Sequence, residues 1–144
     1  MTFHAYPLSP EQASATAEQW QPVLQPAIDD AEGRWTWRQC FADVLLGNTI
    51  IWVVVEVETQ KLVGVCTVRL FHGAAVPWLL IEDLAGERFD EWFEAAYLTL
   101  ETTARQRGYK QIVLEGRHGW ARKMSKLGFN PTRVQCVKKL EDAA

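Results

Sequence analysis

Apolar positions along the 144-residue chain change period several times, and each change marks a new element. Thr2 to Leu8 reads as a short edge strand that Pro7 brings to an end. Ser9-Pro10-Glu11-Gln12 follows as a helix start: Ser9 is the N-cap, Pro10 takes the first helical position and Gln12 closes a capping box. This helix is expected to reach about Trp20, with a kink or a second short turn at Pro22 and Pro26 up to about Ala31. After Gly33, Thr36 caps a second helix from Trp37 to Leu46, stopped by Gly47. From Thr49 the period becomes extended. Ile50 to Glu58 and Lys61 to Phe71 predict an antiparallel hairpin about Thr59-Gln60, and Val76 to Asp83 a third strand after Gly73-Ala74-Ala75. Phe89, Trp92, Phe93, Ala96, Tyr97, Leu100 and Ala104 then recur at three- and four-residue steps, one buried face of a long helix closing at Gly108. A short strand (Gln111 to Leu114), a short helix (Trp120 to Lys126, stopped at Gly128) and a last strand (Thr132 to Leu140) complete the pattern.

This order predicts one α/β domain over residues 1–144. Its mixed sheet combines an antiparallel meander with a central parallel pair, and helices cover both faces. The unit from Ile81 to Gly119 organises the rest: a strand ending in Glu82-Asp83, a loop through Gly86, a crossover helix and a parallel return strand. Ligands sit where such strands end. Here that mouth is Glu115-Gly116-Arg117-His118-Gly119-Trp120.

Composition narrows the function classes. With 48% hydrophobic residues the chain has material for a sizeable core, and seven tryptophans predict large flat contacts. A net charge of −3 argues against non-specific binding to nucleic acid or acidic membranes. Cys40, Cys66 and Cys136 are odd in number and widely spaced, which predicts buried thiols in a reducing compartment, without disulfides or a metal site. The longest apolar run, Ile50 to Val55, is too short to span a membrane, and the first residues do not read as a signal peptide. A cytoplasmic protein is expected, or a virion-associated one.

At the mouth, one reading makes a small pocket of Arg117 for an anion, His118 for proton transfer and Trp120 for stacking. The other pairs Arg117 with Glu115 or Glu82, leaves His118 in a loop and makes Trp120 a core anchor. Trp20, Trp35 and Trp37 either line a groove or fill the core beneath a kinked helix, the core being favoured. Gly-x-Ser-x-Gly, phosphate-loop and metal-ligand spacings are all missing from the sequence.

Ala104-Arg105-Gln106-Arg107-Gly108-Tyr109 and Lys126-Leu127-Gly128-Phe129 resemble the end of the central helix and the close of the last helix in the GNAT superfamily of acetyl-CoA-dependent N-acyltransferases. The Arg117-x-Gly119-Trp120 variant is also similar to small GNAT-like proteins of tailed-phage genomes. The resemblance implies a cofactor turn with Gly86 and Arg88 toward acetyl-CoA, and Glu82 or Asp83 as general base. The family's small residues at that turn fall here on Glu91 and Phe93, and its tyrosine acid on Met124. Two functions are therefore expected. The first is a non-catalytic GNAT-fold protein without cofactor, acting through a protein partner or self-association, such as a phage virion or accessory component. The alternative is an acetyl-CoA-dependent N-acyltransferase with a diverged cofactor loop.

Overall fold

The computed structural model describes residues 1–31, 33–73, 75–116, 118–133 and 135–140, and only the backbone of His118. Five strands form one sheet in the order β1-β2-β3-β4-β5: β1 (Phe3–Pro7), β2 (Thr49–Glu56), β3 (Lys61–Phe71), β4 (Trp78–Gly86) and β5 (Gln111–Leu114). The first four run antiparallel to their neighbours, and β5 lies parallel to β4. Helices α1 (Pro10–Ala15), α2 (Ala17–Asp29) and α3 (Trp37–Leu45) precede the meander, α4 (Phe89–Gln106) crosses from β4 to β5, and α5 (His118–Ser125) follows.

Helix starts obey the sequence closely. Ser9 and Thr36 each make a full capping box, with Gln12 and Gln39. The first helical stretch breaks differently from the expectation. Its interruption falls at Thr16, whose hydroxyl turns back to the Gln12 carbonyl (2.7 Å), and both prolines lie inside α2. Pro22 and Pro26 are one helical step apart on the exposed face, so the carbonyls they leave without an amide face water, while Trp20, Leu24 and Ile28 are buried.

Because strand side chains alternate, β2 and β3 feed a core on each face. Ile51, Val53 and Val65 pack with Ala13, Trp20, Leu24, Ile28 and Val44 on one side. Trp52, Val54, Cys66 and Val68 pack with Trp92, Tyr97, Leu100 and Ala104 of α4 on the other. Gly64 is required here, since a Cβ would stand 2.5 Å from the Trp92 ring.

Three expectations change. β4 does not stop at Glu82-Asp83 but runs three residues further to Gly86, because β3 goes on pairing it as far as Gly64. The parallel pair lies at one end of the sheet rather than at its centre. The strand expected over Thr132 to Leu140 is not formed among its described residues, all of which are exposed, Val137 and Leu140 included; Val134 lies outside them. Alternation there is broken by Lys138-Lys139, and that stretch has too little apolar surface to bury to offset ordering a strand. Cys136 is consequently exposed, not buried.

Candidate active site

The site is built by an irregularity in β4. Its pairs with β3 step from Val68↔Ile81 to Thr67↔Asp83, leaving Glu82 as the extra residue of a bulge. A bulge turns two successive side chains toward one face, and here Glu82 and Asp83 both meet the side covered by α3 and the α2–α3 loop. Pairing of β4 with β5 ends at Ile81↔Leu114, just before the bulge, so the two parallel strands part at this point. A bulge beside a strand parting is a common setting for a ligand site.

Asp83 is the more buried of the two carboxylates, at 8% exposure. Its backbone N–H donates to the Thr67 hydroxyl (2.9 Å), and that hydroxyl lies 3.2 Å from Asp83 Oδ2 as donor. Burial, reinforced by the negative charge of Glu82, pushes the Asp83 carboxyl up to about 6, with the Thr67 hydrogen bond opposing the rise. The Trp35 indole N–H lies near enough to oppose it too, yet its Nε1 is buried and makes no formed hydrogen bond. A buried donor without an acceptor beside a carboxylate is costly unless something else completes it.

Arg69 links two of the neighbouring carboxylates. Its Nε donates to Glu82 Oε2 (2.8 Å) and its Nη2 to Asp43 Oδ2 (3.2 Å), and the Glu82 hydrogen bond holds the guanidinium firmly charged. Cys40 of α3 stands close by; burial, then the charges of Asp83 and Glu82, push its thiol up to about 12, which makes it a poor nucleophile. Three carboxylates (Asp43, Glu82, Asp83) thus face one guanidinium, a surplus of negative charge suited to a cationic ligand.

The two carboxylates expected as base differ in surroundings: Glu82 is tied to Arg69, and Asp83 is buried with its carboxyl pushed up. Sequence reasoning missed Thr67, Arg69, Asp43 and Cys40 as site residues, and favoured core over groove for Trp35. Polar Thr67 and Arg69 two residues apart in an otherwise apolar strand were the available signal. Trp20 and Trp37 do fill core, stacking edge-on at 5.2 Å, whereas Trp35 faces the site.

The turn from β4 to α4 is only Glu87-Arg88. Gly86 has φ +146°, and a Cβ there would stand 2.2 Å from the Val63 carbonyl oxygen, so this glycine serves close packing of β4 on β3. The Glu87 amide donates to the same Val63 carbonyl (2.9 Å). Arg88, in left-handed conformation at φ 56°, is not free for a phosphate. Its Nε donates to Glu91 (2.6 Å), its Nη1 to the buried carboxylate of Glu56, and its Nη2 lies 2.9 Å from Met1 Sδ. Glu87, Asp90 and Glu91 surround the helix start, and Lys61 and Lys123 pair with Glu87 and Asp90. The residues at this turn therefore do not fit a diphosphate, which needs small side chains and available cations.

Arg117 and the His118 side chain lie outside the described residues. Trp120 packs edge-on against Phe89 (5.0 Å) and Phe93 (5.9 Å), the anchoring rather than the ligand-stacking arrangement. Met124 is buried, and the two helix-side tyrosines are engaged elsewhere: Tyr97 with Glu101 (2.9 Å) and Tyr109 with His72 (3.0 Å). Among the described residues no cluster could hold a metal, and no helix is long and apolar enough to cross a membrane.

No family model and no curated protein matches the sequence. Solved structures do match in fold. An aminoglycoside acetyltransferase from an uncultured soil metagenomic sample superposes with a TM-score of 0.70 at 17% identity, covering 98% of this chain and 100% of that one. Glucosamine-6-phosphate N-acetyltransferase from Arabidopsis thaliana gives 0.68 at 16% identity, over 98% and 100%. A second soil-metagenome aminoglycoside acetyltransferase, solved with sisomicin, gives 0.66 at 12%, over 96% and 97%. The fold is that of the GNAT acetyltransferases.

Proposed function

We propose that the protein is an N-acyltransferase in which Asp83 takes a proton from the amine that becomes acylated. The observation that carries this reading is a buried carboxylate with its pKa pushed up to about 6, placed at the bulge where β4 and β5 part. A base is most effective when its pKa lies near working pH, where it is mostly ionised yet still accepts a proton readily. The surplus of carboxylates around it favours an ammonium group over a neutral or anionic acceptor. Arg69 keeps Glu82 and Asp43 in place, and Thr67 fixes the Asp83 carboxylate. The structural relatives, acetyltransferases along nearly their whole length, support the same reading.

A second reading is favoured by one observation. Phe89 and Phe93 of α4 pack with Trp120 of α5 in an aromatic cluster, which a non-catalytic protein acting through a partner or its own copies would tolerate. The phage-accessory role suggested by Arg117-x-Gly119-Trp120 belongs to this reading.

Thiol release from acetyl-CoA and from acetyl-pantetheine decides between them, measured with sisomicin, glucosamine 6-phosphate and spermidine as acceptor amines. Amine-dependent release is expected, rising with pH to a plateau with a midpoint near 6, and lowered about 100-fold or more in Asp83→Asn. No amine-dependent release from either donor would retire the acyltransferase and leave the partner-binding protein.

A further inference from the structure

We propose that the acyl donor is gripped through its acyl-thioester arm alone, with no contribution from a nucleotide diphosphate at the β4–α4 turn. The inference rests on the acyltransferase reading and specifies its donor as a class: acyl thioesters of the pantetheine type, whether or not a nucleotide is attached.

Four observations converge on it. The turn is two residues long, so it cannot wrap a diphosphate. The amide of Glu87 is already spent on Val63, and Trp92 Nε1 occupies the Glu87 carbonyl (2.7 Å). Every nitrogen of the Arg88 guanidinium has a partner within the protein. Finally, the first turn of α4 carries Asp90 and Glu91, Lys123 is paired with Asp90, and Lys61 is paired with Glu87 just before the helix. Like charges would meet a diphosphate where opposite ones are needed.

The strand edge offers what the turn does not. Beyond Ile81, β4 has no pairing with β5, and an extended arm bearing amides can add to an unpaired strand edge. Chemistry balances without the nucleotide. The amine nitrogen bonds the acyl carbon and the C–S bond breaks. Of the two protons leaving the ammonium nitrogen, one converts the thiolate to a thiol and the other passes through Asp83 to solvent.

Calorimetric titration of the full chain with coenzyme A, pantetheine and adenosine 3′,5′-bisphosphate tests the inference without needing the acceptor. The expected result is that coenzyme A and pantetheine bind within about threefold of one another and that the bisphosphate does not compete. Several charge-assisted hydrogen bonds to a diphosphate would instead favour coenzyme A by roughly thirtyfold or more, tenfold for each 1.4 kcal/mol, and that result would overturn the inference while sparing the acyltransferase. If neither thiol binds at up to about a hundred times the dissociation constants common for such ligands, both readings fall. Arg88→Met supplies a second arm. It should lower the melting temperature yet leave the ratio of the two affinities unchanged; a selective loss of coenzyme A binding would show Arg88 to be a phosphate ligand after all.

Discussion

Asp83 bears on stability as well as on the proposed proton transfer. Its folded pKa lies above its ordinary value of 3.8, so the neutral acid is the form the fold prefers. The stabilisation is complete below about pH 4 and disappears as pH rises through about 6, which leaves a cost of about 2–3 kcal/mol at neutrality. Asp83→Asn keeps the shape and removes the charge. Its melting temperature relative to the parent should therefore climb between pH 4 and pH 7, and a gap that stays flat with pH would mean that burial does not perturb this group. Glu56 has the opposite sign. Arg88 holds its carboxyl below the usual range, so its contribution is present at neutral pH and lost as the medium is acidified through that lowered pKa. Legibility at this scale followed chain distance. Glu82 and Asp83 could be singled out because they sit together in one strand. Cys40 and Asp43 could not, and Trp35 could be named only as groove or core, because only the packing of α3 and its preceding loop against β4 brings them there.

Among the elements, β4 carries the most information per residue. Its bulge aims two carboxylates one way, and its end is pressed so closely on β3 that Gly86 admits no side chain. Gly86→Ala combines a collision with the Val63 carbonyl and an unfavourable backbone conformation, and should cost about 3 kcal/mol or more in denaturant unfolding. Gly119→Ala is the matched control. Gly119 lies inside α5 with open space around its Cα, so the change should be neutral or stabilise by up to about 1 kcal/mol. Caps and strand pairs were readable because Ser9, Thr36 and the alternating β-branched runs act locally. The fate of Pro22 and Pro26 was not. Whether a proline breaks a helix depends on which face it occupies, and both fall on the water side of α2.

For the whole molecule, the decisive fact is that a single sheet serves two cores. β2 and β3 supply side chains to both, so neither core can come apart while the other stays intact. Unfolding should be one transition, with tryptophan fluorescence and far-ultraviolet circular dichroism tracing the same curve. Leu24→Ala, on the α2 side, should cost about 2–5 kcal/mol and shift both probes together; a separate early loss of one signal would contradict the shared-sheet picture. The α/β architecture was legible because the change from extended to helical period and back is long and strongly patterned. Placement of the parallel pair was not, since it depended on a last strand whose apolar alternation is weak and interrupted by lysines.

The short join between β4 and α4 also bears on how this molecule could change over evolutionary time. Lengthening a surface turn costs little, about 0.6 kcal/mol for each doubling of its length. Yet any insertion at Glu87-Arg88 would draw the guanidinium away from Glu56, whose side chain is almost wholly buried. A chain acquiring a longer, glycine-bearing turn would have to neutralise Glu56 as well, through a step such as Glu56→Gln. The turn and Glu56 are thus tied together: natural variants with a longer turn are expected to have replaced Glu56.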